Sequence, residues 1–143
     1  MLANLLVAAL LVAATAVVHA GGLILLSRVM HGATKRFGLD RDGVFSVMAM
    51  MLTVLAIFIL HLVEAGVWAF GYLALGSMPD FDTALYFSAA TFSTIGYGDV
   101  TIADHWQLLS ALEGIAGFIF IGWSTAYLVA ASTRHSPFKI DEL

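Results

Sequence analysis

The stretch Thr94-Ile95-Gly96-Tyr97-Gly98 carries glycine at alternating positions. Glycine takes left-handed dihedrals at little steric cost. Successive peptide carbonyls here can therefore be turned to one side, and a row of carbonyls offers oxygen ligands to a cation that has shed its water. A second set of reactive groups sits inside long apolar runs. His61 and Glu64 are one turn apart and share a face with Trp68, and Glu113 lies 14 residues beyond Asp99. Ionisable groups at such depth are costly and mark either function or a tight hydrogen-bond network. In one reading, Glu64 and Glu113 accept hydrogen bonds from the hydroxyls of Thr91 and Ser93 and brace the glycine stretch. In the other, His61, Glu64 and Glu113 share protons and make the protein pH-dependent. At about 100° per residue, Glu113 is opposite Gly122 and far from Ala126. If those small residues line a cavity, Glu113 points toward neighbouring helices, where Glu64 and His61 could meet it. His61-x-x-Glu64 alone is too little for a metal site, and the pattern His-Glu-x-x-His is absent. With no cysteine, disulfides and thiolate metal sites are excluded.

The elements that position these groups follow from hydropathy. Of 143 residues, 61% are hydrophobic and only 11% charged, with mean hydropathy +0.95. A soluble domain of this length needs more polar surface, so the solvent is lipid, and the length leaves room for one membrane module. Residues 2–26 are almost uninterrupted apolar sequence, enough for a crossing of roughly 20 residues, with His19 and Gly21-Gly22 as the oddities. A polar stretch, 28–43, follows. The second apolar run, 44–75, exceeds one spanning length, so its helix is tilted or projects from the membrane. Gly76-Ser77-Met78-Pro79-Asp80 is a breaker cluster, and Asp80 reads as the N-cap of a short helix over 81–93. That helix is too short to cross. Residues 94–99 cannot be helical, and a third spanning helix covers 105–131. A short helix and a glycine-rich stretch between two spanning helices form the pattern of a re-entrant loop, tolerated at membrane depth only where it is buried in protein or lines a wet path.

Charge orients the chain independently. All six Lys and Arg lie in two places: Arg28, Lys35, Arg36 and Arg41, then Arg134 and Lys139. The positive-inside rule makes both cytoplasmic. The loop carrying Asp80, Asp82, Asp99 and Asp104, with no Lys or Arg, then faces out, and three crossings put the N-terminus outside. Val18-His19-Ala20 is similar to a cleavage site for a signal peptide, but no Lys or Arg precedes it, and cleavage would carry the acidic loop inward. The first segment is expected to stay as a membrane helix.

Thr94-Ile95-Gly96-Tyr97-Gly98-Asp99 resembles the selectivity filter of the potassium channel family, and the resemblance covers about 44–131: outer helix 44–75, pore helix 81–93, filter 94–99, inner helix 105–131. It implies an all-α membrane protein with three transmembrane helices, a re-entrant pore helix and four identical subunits around one pore, because a single loop cannot encircle an ion. It also implies passive, potassium-selective conduction, with no enzymatic activity, no cofactor and no nucleic acid. Potassium is the permeant ion, lying between the carbonyls of Tyr97 and Gly96, Gly96 and Ile95, and Ile95 and Thr94, and innermost at the Thr94 carbonyl and hydroxyl. Gly98 supplies the second flexible position. The short helix would aim its negative dipole end at the cavity and favour a cation there.

By the same resemblance, Tyr86 and Phe87 match the aromatic cuff around the filter; otherwise they are ordinary lipid-facing or core aromatics. Asp99 and Trp106 match a pair that hydrogen-bonds behind the filter, unless Trp106 anchors the outer interface. Gly117 is near the family's hinge position, and Gly114, Gly117 and Gly122 equally suit close helix packing. Tyr127 and Ala130 could narrow the inner mouth. One departure matters: the bacterial prototype has a pore-helix glutamate where this chain has Ala90, so that bracing does not transfer. The segment 81–99 is also similar to that of animal two-pore-domain channels, but this chain has one pore loop. The first helix lacks repeated Arg or Lys and is no voltage sensor. It is expected to pack on the outer helix or on a neighbouring subunit. The basic loop either touches anionic headgroups or only sets topology. The tail 132–143 is too short for a regulatory domain. The expected location is a bacterial inner (plasma) membrane, with lipid and identical subunits as partners. Alternatives are a weakly selective cation channel and a non-conducting accessory or scaffold subunit.

Overall fold

The computed structural model describes residues 1–37 and 43–134. Four helices run in chain order: α1 (Leu2–Phe37), α2 (Gly43–Ala74), α3 (Phe81–Phe92) and, after a 3-10 turn at Asp104–Trp106, α4 (Gln107–Arg134). The spans Leu2–Ala33, Ser46–Ala74 and Asp104–Thr133 are long and apolar enough to cross a membrane. Residues 28–37, expected as loop, continue α1 instead. Gly32 is the one weak helix former there, with no proline to break the backbone ladder, so polar side chains extend the helix rather than end it. Of the expected polar stretch, 38–42 lies outside the described residues, as does 135–143 of the tail.

Helices α2 and α3 end by the same device. After α2, Ser77 N–H bonds the Tyr72 carbonyl and Gly76 N–H bonds that of Leu73, with Gly76 left-handed at φ +63°. After α3, Ile95 N–H bonds Ala90 and Thr94 N–H bonds Thr91. These are Schellman closures, which consume the last free carbonyls of each helix. At the second one the left-handed residue is Thr94, at φ 62°. A β-branched residue there is strained by roughly 1–3 kcal/mol. The start of α3 is capped by Asp80, whose carboxylate accepts from Thr83 N–H at 2.8 Å and from the Thr83 hydroxyl at 3.1 Å. Those bonds, the backbone one foremost, hold the Asp80 carboxyl below its ordinary pKa.

Between helices in lipid no hydrophobic driving force operates, so close approach and interhelical hydrogen bonds carry association. Along α1 and α2, Gly22 meets Leu60 and Gly71 meets Leu11; a Cβ on either glycine would lie within 3 Å of the opposing leucine. Asn4, on α1, donates to the His105 carbonyl at 2.9 Å and accepts from Leu109 N–H at 3.1 Å. It thus satisfies one of the N–H groups that α4 leaves free at its start. Ser27 and Tyr127 hydroxyls meet at 3.1 Å toward the other end. Helix α1 therefore runs antiparallel to α2 and parallel to α4, and its first residues share a side with the loop before α4.

The tightest contact is between α3 and α4. A Cβ on Gly117 would run into the Phe92 carbonyl, with backbone rather than a flexible side chain in its way. Gly117 is thus the residue that lets the end of α3 rest on α4. Gly117→Ala is expected to lower stability by roughly 1–3 kcal/mol. Gly21→Ala, which meets nothing within 4 Å, is expected to be neutral or stabilising by up to about 1 kcal/mol. Thermal unfolding of the purified protein reads both, and equal midpoints for the two variants would contradict this packing.

Candidate functional site

The segment following α3 is built around positive dihedrals at every second residue: Thr94 at φ 62°, Gly96 at 56° and Gly98 at 78°. Its first three N–H groups turn back into α3, Thr94 to Thr91 and both Ile95 and Gly96 to the Ala90 carbonyl. Its carbonyls do not turn back. Among the described residues, no carbonyl of 94–98 accepts a hydrogen bond. The side chains of Ile95 and Tyr97 are 56% and 70% exposed in the single chain. The result is a short strand of available oxygen ligands with two apolar or amphipathic side chains that this chain leaves uncovered.

Asp99 ends the segment. Its carboxylate accepts from the Tyr86 hydroxyl at 2.6 Å and from Val100 N–H at 3.0 Å. The Tyr86 hydroxyl is the leading cause that holds the Asp99 carboxyl below its ordinary range, and the same bond raises the Tyr86 phenol. The expected Asp99–Trp106 pair is thereby replaced by Asp99–Tyr86. Trp106 packs on the core and lies beside the His105 ring. The physical reason is reach: Tyr86, on α3, stands close enough for its phenol to span to the end of the loop. Phe87 is buried and meets the Tyr72 ring edge-on at 5.3 Å, so of the two expected cuff residues one points to the loop end and one to the core. Behind the loop, Phe87, Ala90, Thr91, Val100 and Ser110 help line a pocket of about 240 Å³. The Ala90 methyl leaves this space open, where a longer acidic side chain would enter it.

Glu113 anchors the segment from below. It is wholly buried and contacts two hydroxyls, Tyr72 on α2 and Ser88 on α3, each at 2.5 Å. Ser88 also lies 2.8 Å from the Ala65 carbonyl of α2. Three helices therefore converge on one carboxyl group. Ala65 and Ala69 on α2 and Ala84 on α3 are buried as well, small side chains of the kind that let helices approach closely. The bracing hydroxyl on α3 is Ser88, not Thr91 or Ser93. Ser88 follows Ala84 by one turn on the buried face, whereas the Ser93 hydroxyl is taken by its own helix, at Ala89.

Glu64 does not join Glu113. Its two oxygens accept from His19 Nδ1 at 2.7 Å and His61 Nδ1 at 2.8 Å, so the expected cluster of three is two separate sites. His19, on α1, stands out in the sequence only as an oddity of the first apolar run, and its pairing with Glu64 is not foreseen there. Its signal was a lone histidine midway along an apolar helix. Gly114 lies near the Thr91 carbonyl, 3.5 Å from where its Cβ would be, and with Gly117 it serves the α3–α4 contact. Tyr127, expected near an inner mouth, instead turns onto α1, packing with Leu23, Leu26 and Ile57. Helical phase explains this: it shares a stripe with the buried Phe120 and Ser124.

Two outcomes follow from these bonds. Tyr72→Phe removes one donor from a buried carboxyl and is expected to cost about 1–3 kcal/mol, read as a lower unfolding midpoint; an unchanged midpoint would contradict the bracing. The Asp99 bond stabilises above the carboxyl's unfolded pKa and is lost as pH falls through its depressed folded pKa. Tyr86→Phe removes the leading cause, so the Asp99 titration, followed by carboxyl carbon NMR, is expected to move up toward ordinary carboxylates.

A family model described as "Ion channel" matches residues 47–134, which takes in most of α2, all of α3, the carbonyl-lined segment and α4. No curated protein and no solved structure matches the chain. The match points to a channel rather than an enzyme, and with three helices fit to cross a bilayer it describes an integral membrane protein that conducts ions. The chain belongs to the ion channel family.

Proposed function

We propose that the conducted ion is potassium and that residues 94–98 are its selectivity filter, repeated in four identical subunits around a central axis. The observation that carries this reading is the backbone of the segment, with left-handed dihedrals at Thr94, Gly96 and Gly98 and carbonyls free of protein partners. Four such strands facing one another give rings of oxygens that replace the hydration shell of a monovalent cation. A single strand cannot do this, which is why the reading requires the tetramer. The exposed Ile95 and Tyr97 side chains support it, since neighbouring subunits would cover them. In this arrangement α3 is the re-entrant pore helix, its carbonyl end directed at the cavity, and α4 is the inner helix.

Orientation follows from charge. The acidic residues Asp80, Asp82, Asp99 and Asp104 sit in a loop without Lys or Arg, and in sequence all six Lys and Arg fall at 28–41 and 134–139, after the first and third apolar runs. The positive-inside rule then places the filter and the N-terminus outside and the C-terminus in the cytoplasm, as expected for a bacterial plasma membrane.

Potassium flux into liposomes carrying the purified protein tests the proposal. Potassium flux well above sodium flux is expected, lost in Gly96→Asp, whose side chain meets a left-handed backbone and places a carboxylate among the carbonyls. Equal sodium and potassium permeation would remove the selectivity. Absence of flux from a well-folded tetramer, over varied pH and lipid, would favour a scaffold subunit.

A further inference from the structure

Away from residues 94–98, the structure holds a cluster of two histidines and one acid. His19 of α1 and Glu64 of α2 are fully buried, and His61 of α2 is one-fifth exposed. Both imidazoles direct the same atom, Nδ1, at the same carboxylate, one to each oxygen. The three ligand-type atoms lie within 4.8 Å of one another. We propose that His19, His61 and Glu64 form a binding site for a zinc-class divalent cation that ties α1 to the channel module.

The donor set favours this class. Two neutral imidazoles and one carboxylate suit zinc, which takes three such protein ligands and leaves a fourth position for water. Calcium and magnesium, which prefer oxygen ligands, fit it poorly. With zinc bonds of about 2.0–2.1 Å, tetrahedral ligand atoms stand roughly 3.3 Å apart. The N···O separations, 2.7 Å to one carboxylate oxygen and 2.8 Å to the other, open by about half an ångström, and the remaining ligand pairs, within 4.8 Å, adjust to the same spacing. The metal takes Nδ1 of each neutral imidazole, and the ring proton resides on Nε2.

The surroundings add a second argument. The His19 ring lies among Phe120, Trp123 and His61, with centroids 5.1, 5.0 and 5.8 Å away. His61 also meets Phe92 at 5.9 Å. Among the described residues no other acid joins the cluster, and Glu113 is engaged with Tyr72 and Ser88. A carboxylate at this depth needs compensating positive charge. A divalent cation bound by both Nδ1 atoms and the carboxylate supplies that charge at the carboxylate itself, and leaves the buried His19 Nε2 among the rings of Phe120 and Trp123. The partly open edge of His61 is the entry route. Because α1 contributes one ligand and α2 two, the cation would act as a clasp on the peripheral helix.

The full-length protein, stripped with chelator, would be reloaded with Zn²⁺, freed of excess by gel filtration and assayed by elemental mass spectrometry. About one zinc per subunit is expected. The same is expected of a His31→Gln, His105→Gln double variant, which removes histidines outside the site. His19→Gln and His61→Gln are each expected to bind at least about 10-fold more weakly, since loss of an outer-sphere partner alone costs that much. Retention below a tenth of an equivalent in the wild type, or equal retention in the His19 and His61 variants, would overturn the proposal. Should those variants fail to fold, zinc-edge X-ray absorption of the loaded wild type decides: a first shell of two imidazoles and a carboxylate supports the site, and any other shell overturns it.

Discussion

Glu113 takes its hydroxyl partners from Tyr72 on one helix and Ser88 on another, and this meeting point governs where the short helix α3 can lie. In lipid, a carboxyl group cannot be left without partners, so its bonds are held more tightly than the same bonds at a wet surface. Once α3 is fixed against α2 and α4, its last carbonyl comes to rest on Gly117, where a single methyl would not fit. The chain leaves α3 there, through a left-handed Thr94. The strain at that residue is tolerable only because the helix behind it is pinned from two sides. The alternating backbone of the loop is thus the downstream consequence of one buried carboxyl group and one missing side chain.

A second layer of bonds ties the loop's far end and the peripheral helix. Tyr86 reaches Asp99 from α3 itself, so both ends of the loop are referred to the same helix. Asn4 fixes the start of α4 from α1, and the Glu64 cluster fixes α1 midway along. The peripheral helix is therefore joined to the channel module by polar contacts at three depths, Asn4, His19 and Ser27, with the glycine–leucine contacts of Leu11 and Gly22 between them. That is an integrated bundle rather than an appended span.

Much of this was legible in the residues. The breaker cluster ending at Asp80, the acid that caps α3, and the alternating glycines marked the short helix and its loop. Helical phase turned Glu113 away from Gly122 and toward α2 and α3. What the residues did not reveal was which hydroxyl it would meet. Ser88 and Thr91 differ by less than one turn, and it is Ser88 that shares the buried face with Ala84 and reaches the Ala65 carbonyl of α2. The Glu64 partner His19 is 45 residues distant, and nothing local in either helix encodes that pairing. The loop expected after residue 27 was wrong for a simpler reason: polarity ends a membrane span, whereas only a breaker or a cap ends a helix.

The central claim is that the free carbonyls of residues 94–98 face one another across a four-fold axis. An experimental density map of the purified protein in potassium tests it most directly. The account predicts a tetramer with a column of ion densities on the axis, spaced between the carbonyl planes of Tyr97, Gly96, Ile95 and Thr94. A well-ordered assembly in which these carbonyls lie off any shared axis, or an axis without ion density between them, would contradict it.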